Sequence, residues 1–125
     1  MKKVFTGLFF VISLGFASDL WYSQAYLAYL SLGYLCMLST NGMYSPQEAV
    51  NRAREVKIIA QTSLKTLYQA NDARGQALRL VYENLVFQAN GLVSLLQTPS
   101  EEILQTYENL RQKTWNTLEM VKELP

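Results

Sequence analysis

The feature that most constrains this chain is an apolar run close to its start. From Val4 to Leu38 the only charged residue is Asp19, and Lys2 and Lys3 precede the run. A stretch this long and this poor in charge has to be buried in a protein core, inserted into a bilayer or removed from the chain. The remaining sequence is amphipathic, so its arrangement depends on which of these happens.

The first part of the run, residues 1–17, is typical of a secretory signal. A basic start leads into the apolar segment Val4–Ala17, and small residues occupy the last and third-last positions, Ala17 and Gly15. This segment is shorter than the ~20 residues that cross a bilayer. We therefore expect residues 1–17 to be a signal-like segment, and the protein to be exported to the periplasm or the extracellular space.

The second part, Leu20–Leu38, also lacks charge and leaves an alternative open. The whole stretch Val4–Leu38 would then be a membrane-inserted segment with its lysines on the inside. However, four tyrosines and Gln24 lie between residues 20 and 38, and their polar groups need partners that a lipid core does not supply. This favours residues 20–38 as the core helix of an exported bundle. A cytosolic protein with a very apolar start is the least favoured interpretation.

Two similar segments mark helix starts further along the chain. Ser45-Pro46-Gln47-Glu48 and Thr98-Pro99-Ser100-Glu101 both have the pattern of a capping box with proline at the first helical position. The pattern predicts Ser45 and Thr98 as the capping residues. Apolar residues at intervals of three and four then predict helices over approximately 19–38, 46–70, 73–96 and 99–123.

Residues 71–75 interrupt the second predicted helix, and two outcomes are open. Either Asp72 caps a new helix after a tight turn, or one helix continues through 46–96. A helix of that length would be about 75 Å long, which exceeds a compact domain of this size and favours the turn. No run alternates apolar and polar residues as a strand does. The sequence therefore predicts an all-α, up-and-down bundle of about four helices in a single domain, 18–125, preceded by the signal-like segment.

Missing residue types exclude most catalytic chemistry. The chain has no histidine and one cysteine, Cys36, which excludes His-dependent nucleophilic catalysis, imidazole-bound zinc and paired-thiol redox sites. Cys36 is interpreted as a small buried apolar residue. We expect no enzyme activity, no cofactor and no metal. The formal charge is +1 and becomes −1 without Lys2 and Lys3, so there is no electrostatic basis for nucleic-acid binding.

Three groups of residues are candidates for function. Arg52, Arg54 and Lys57 belong to a locally basic region, and Trp115 is either a core residue or an interface aromatic; these four are the predicted interaction surface. Several glutamates of the last helix are a weaker candidate for acid–base chemistry or cation binding and are interpreted as a solvated face: Glu101, Glu102, Glu108 and Glu119. The basic and acidic helices are expected to face one another.

These observations predict a non-enzymatic exported protein that binds another protein as an adaptor, inhibitor or assembly component. The alternative is a membrane-anchored accessory subunit with residues 4–38 in the bilayer. An enzyme that uses only carboxylates, tyrosines and arginines is the least favoured hypothesis. The sequence identifies neither the partner protein nor the oligomeric state.

Overall fold

The protein is a bundle of four α-helices joined by short loops. The computed structural model describes the backbone of residues 2–125 and the side chains of residues 19–125. The helices are α1 (Lys2–Thr40), α2 (Pro46–Leu67), α3 (Ala73–Gln97) and α4 (Glu101–Glu123), and no strand occurs among the described residues. The prediction of an all-α bundle of four helices is confirmed. The predicted signal-like segment, residues 1–17, lies outside the residues whose side chains are described.

The first connection reverses the chain within five residues. Gly42 has a φ of 75°, a left-handed conformation that glycine adopts without a steric penalty. Its neighbour Met43 donates its N–H to the Leu38 carbonyl at 2.9 Å, which closes the end of α1. Ser45 then caps α2 by accepting the Glu48 N–H at 3.1 Å, and Pro46 is the first helical residue. The start predicted at Ser45 is confirmed.

A turn separates α2 from α3 where the sequence left two outcomes open. α2 ends at Leu67, and Asp72 caps α3 through its carboxylate, which accepts the Gly75 N–H at 3.3 Å. A β-carbon on Gly75 would lie 2.5 Å from the Ala70 β-carbon. The end of the turn and the start of α3 therefore approach so closely that only glycine fits at position 75. One long helix through 46–96 is therefore ruled out.

The start of α4 corrects the predicted cap at Thr98. The capping residue is Ser100, whose hydroxyl accepts the Ile103 N–H at 3.1 Å. Thr98 instead ends α3, because its N–H donates to the Ser94 carbonyl at 2.8 Å. It also precedes Pro99, and a residue before proline is disfavoured in the helical conformation. Thr98 accordingly has φ −139° and ψ 75°.

The helices pack with α3 at the centre. α3 and α1 each contact the three other helices, but α3 packs more extensively against α2 and α4, which are both fully described and do not contact each other. They lie on opposite sides of the α1–α3 pair. The expectation that the basic and acidic helices face one another is therefore wrong.

The part of α1 whose side chains are described, residues 19–40, is also less buried than the sequence suggested. Its buried apolar side chains are Ala25, Leu32 and Leu35. α3 contributes a longer series to the core: Ala77, Leu78, Val81, Tyr82, Leu85, Ala89 and Leu92. The central helix of the bundle is thus α3, and α1 is a flanking helix that buries one face.

Candidate protein-binding surfaces

An open apolar groove lies between α2 and α3. We define the α2–α3 groove by Ile58, Lys65 and Tyr68 of α2 together with Glu83 and Phe87 of α3. It encloses about 740 Å³. Ile58, Tyr68 and Phe87 are 60%, 59% and 59% exposed, although residues of these types usually bury most of their surface. Three large apolar side chains around one concavity are typical of a binding surface.

The groove forms because both helices carry apolar residues on two faces. On α2, the buried Leu64 lies on the inner face and forms part of the groove wall, whereas Ile58 lies on the outer face. On α3, Leu85 is buried while Phe87, two residues later, points outward. The Arg79 guanidinium lies 5.6 Å from the Tyr68 ring centroid, a cation–π contact that holds the ring at the end of the groove.

A second apolar feature runs along the outer face of α1. We define the α1 stripe as Leu20, Leu27 and Tyr34, which are 65%, 62% and 58% exposed. Seven residues separate each from the next, so they lie on one side of the helix. Met37, 48% exposed, extends the apolar surface toward the end of α1. Among the described residues, no helix combines the length and the apolar character of a membrane span.

The residues predicted as an interaction surface do not form one surface. Arg52 and Arg54 are exposed and Lys57 is half-buried on α2. Arg52 pairs with Glu55 at 3.3 Å. Trp115 is half-buried on α4, a helix that does not contact α2.

Trp115 belongs to an aromatic cluster between α1 and α4. Its ring centroid lies 6.3 Å from that of Tyr26 and 5.7 Å from that of Tyr29. Contacts at these distances stabilise the packing of two helices. Trp115 is thus part of the internal packing of this molecule.

The glutamates of α4 lie apart from the α2–α3 groove. Glu101, Glu102 and Glu108 line an open depression along α4, and Glu119 is exposed further along the helix. In the part of the chain whose side chains are described, no three His, Cys, Asp or Glu side chains are grouped as metal ligands.

The thiol of Cys36 is half-buried between α1 and α4. Burial raises the pKa of this thiol, and the nearby Arg111 charge and Thr40 hydroxyl only partly oppose the effect. The thiol is therefore held in its protonated, less nucleophilic form.

Sequence reasoning missed the α2–α3 groove, although a signal for it was present. Ile58 and Phe87 lie off the intervals of three and four that define the buried faces of their helices. A large apolar residue on an otherwise polar face is the sequence signature of an exposed hydrophobic patch. No protein-family model, curated protein or solved structure matches this chain.

Proposed function

We propose that this is a non-enzymatic, exported helical protein that acts by binding another protein through the α2–α3 groove. The exposure of Ile58, Tyr68 and Phe87 around that groove is the observation that carries the proposal. Aromatic residues and arginine contribute most of the binding energy in many protein interfaces, and here Arg79 stacks on Tyr68. The missing histidines and the signal-like start support the non-enzymatic and exported parts of the proposal.

The occupant we propose is the apolar face of an amphipathic helix of the partner. A groove between two packed helices accepts a third helix, which inserts residues at intervals of three and four. Lys65 and Glu83 line the same groove and carry opposite charges. A matching helix would therefore present an acidic residue beside Lys65 and a basic residue beside Glu83, flanking its apolar face.

Site-specific photocrosslinking tests this surface. A photoreactive phenylalanine analogue at Phe87 is expected to give one adduct with a different protein in the native cell. Sequencing of the adduct should place the crosslink on an amphipathic helix of that protein. The matched control carries the analogue at Leu104, which is exposed on α4 away from the groove.

A charged residue in the groove provides the second arm of the test. Ile58→Asp should remove the Phe87 adduct without unfolding the protein, because the Ile58 side chain is 60% exposed. The proposal is wrong if Phe87 gives only self-adducts or lipid adducts, or if Leu104 gives the same adduct as Phe87.

Export is tested by the intact mass of the protein recovered from its native cell. A chain that starts at Ser18 is expected, because the signal-like segment ends at Ala17. A full-length mass would contradict removal of the segment and favour the second candidate function.

That second candidate is a membrane-anchored accessory subunit with residues 4–38 in the bilayer. One observation favours it: the α1 stripe exposes Leu20, Leu27 and Tyr34 on the same helix that carries the uncharged residues 4–18. Carbonate extraction separates the two functions, since a protein bound only to other proteins is released from membranes and an anchored one is retained.

A further inference from the structure

We propose that two copies of this chain pair through the α1 stripe, with their α1 helices parallel. This proposal is independent of the proposed function, because it uses the outer face of α1 and not the α2–α3 groove. The pair would cover the second exposed apolar surface of the molecule. It rests on the spacing of the stripe, its lack of charge, and the charges on the two helices that flank it.

The spacing of the stripe suits a helix as partner. Leu20, Leu27 and Tyr34 repeat every seven residues, and Leu30 and Met37 repeat at the same interval on the adjoining row. Two rows of apolar residues, each with a period of seven, form the seam of a two-helix coiled coil. A second α1 presents the same two rows and is complementary to the first.

The stripe also lacks the charges that would keep two copies apart. Asp19 is the only charged residue of α1 between residues 19 and 40, and its carboxylate pairs with Arg74 of α3 at 3.0 Å. Ser23, which continues the row of Leu30 and Met37, is neutral, as are the polar residues beside the stripe, Gln24 and Ser31. Two identical stripes can therefore meet without repulsion between like charges.

The charges on the flanking helices select the parallel arrangement. α2 has four basic and two acidic residues, and α4 has three basic and five acidic residues. The two helices lie on opposite sides of the α1–α3 pair without contact, so their opposite charges do not meet within one copy. A twofold axis along α1 places α2 of each copy beside α4 of the other. An antiparallel pair would instead place α2 against α2 and α4 against α4.

Two residues are positioned to make this contact. Arg52 lines a groove with Tyr34 of the stripe on the α2 side. Glu108 lies one helical turn before Arg111, whose guanidinium contacts the Tyr29 ring of α1, so Glu108 is on the side of α4 next to α1. Both are exposed and belong to the same end of the bundle. In the parallel pair, Arg52 of each copy faces Glu108 of the other.

Cysteine crosslinking of the full-length chain tests the pairing. Leu20→Cys, Leu27→Cys and Tyr34→Cys are introduced singly in a Cys36→Ser background, and cells are treated with a short bismaleimide. Identical positions face each other along a parallel pair, so all three variants should give crosslinked dimer at least tenfold above a Gln76→Cys control. Gln76 is exposed on α3. Crosslinking at Leu27→Cys alone would indicate an antiparallel pair, and crosslinking at none would indicate another occupant; either result overturns the proposal.

A charge exchange tests the flanking contact. Arg52→Glu alone and Glu108→Arg alone should each reduce the crosslinked fraction at Leu27→Cys several-fold, because like charges then face each other. Coexpression of the two variants should restore crosslinking between them, since each contact again joins opposite charges. If the mixture crosslinks no better than the single variants, Arg52 and Glu108 do not meet and the parallel arrangement is wrong.

Discussion

The positively charged Arg111 side chain lies where α1, α3 and α4 meet, and its partners there are neutral groups. Its Nη1 donates to the Tyr29 carbonyl at 3.0 Å and to the Gln88 amide oxygen at 2.9 Å. The guanidinium carbon lies 4.0 Å from the Tyr29 ring centroid. The planar guanidinium suits this combination of stacking and hydrogen bonding, which a lysine cannot reproduce. Arg111 thereby fixes the position of α1 relative to the two other helices.

Gly33 leaves the space that this guanidinium occupies, and we expect Gly33→Ala to destabilise the protein. A β-carbon at Gly33 would lie 2.8 Å from Arg111 Nη2, and the hydrogen bonds and stacking described above hold that group in place. Overpacking of this kind costs about 1–3 kcal/mol. In an Arg111→Ala background the clash is gone, and the same substitution should stabilise α1 by up to about 1 kcal/mol. Chemical denaturation of the four variants measures this coupling; equal effects in both backgrounds would contradict it.

Tyr107 should make stability depend on pH at the alkaline end. Its hydroxyl donates to the Leu32 carbonyl at 3.2 Å, and burial raises the pKa of Tyr107 to about 12, an effect that the Arg111 charge partly opposes. The folded state therefore holds this proton more tightly than the unfolded chain, whose tyrosine pKa is about 10. The contribution of this proton to the free energy of unfolding is fully present below pH 10. It is lost as the pH rises through 12, at ~1.4 kcal/mol per pH unit for one proton.

The Tyr107→Phe variant isolates this contribution. The variant should be less stable than the original chain at pH 8, and the difference in the free energy of unfolding should shrink between pH 10 and pH 12. Denaturant titrations at several pH values provide the measurement. A difference that stays constant across this range would show that the Tyr107 phenol ionises equally in both states.

At the scale of single elements, the capping residues test the helix boundaries. Ser45→Ala and Ser100→Ala should each lower the free energy of unfolding by about 0.5–2 kcal/mol, because each removes an acceptor for an otherwise unpaired backbone N–H. Thr98→Ala should cost less, since no backbone N–H of α4 donates to the Thr98 side chain. Denaturant titration compares the three. A larger loss for Thr98→Ala than for Ser100→Ala would place the start of α4 two residues earlier.

The helices followed from local sequence rules, and the errors arose where two rules competed. Ser45-Pro46 has one capping residue and one proline, so the start of α2 was predictable. Thr98-Pro99-Ser100 offers two capping residues on either side of a proline. Because Thr98 also closes α3, Ser100 is left to cap α4. The local pattern at a helix start does not show whether one of its residues is already needed to end the preceding helix.

At the scale of the whole molecule, the sequence favoured residues 20–38 as the core helix, whereas α3 contributes more buried residues. Residues 20–38 are apolar nearly all round, which pointed to burial, yet Leu20 and Leu27 are mostly exposed. α3 is central although Asn84 and Gln88 interrupt its apolar pattern. These amides donate to Thr117 and Thr114 of α4 at 3.4 and 3.1 Å. Buried polar residues that hydrogen-bond to each other between two helices belong to the core, but a prediction from apolar positions alone misses them. The α2–α3 groove was missed for the same reason, since it depends on which helices become neighbours.

Removal of residues 1–17 leaves a chain that should fold by itself. The described part of the core, from Trp21 onward, is retained when residues 1–17 are removed. The Asp19–Arg74 ion pair is also retained and joins the start of the shortened helix to α3. We expect residues 18–125 to show a strongly helical far-ultraviolet circular dichroism spectrum and a single cooperative unfolding transition. Val81→Asp in the same chain serves as the unfolded reference, because Val81 is 0% exposed and a buried unpaired charge is not tolerated. A shortened chain that resembles this reference would mean that the fold requires residues 1–17. Removal on export would then be excluded, and α1 would function at its full length, Lys2–Thr40.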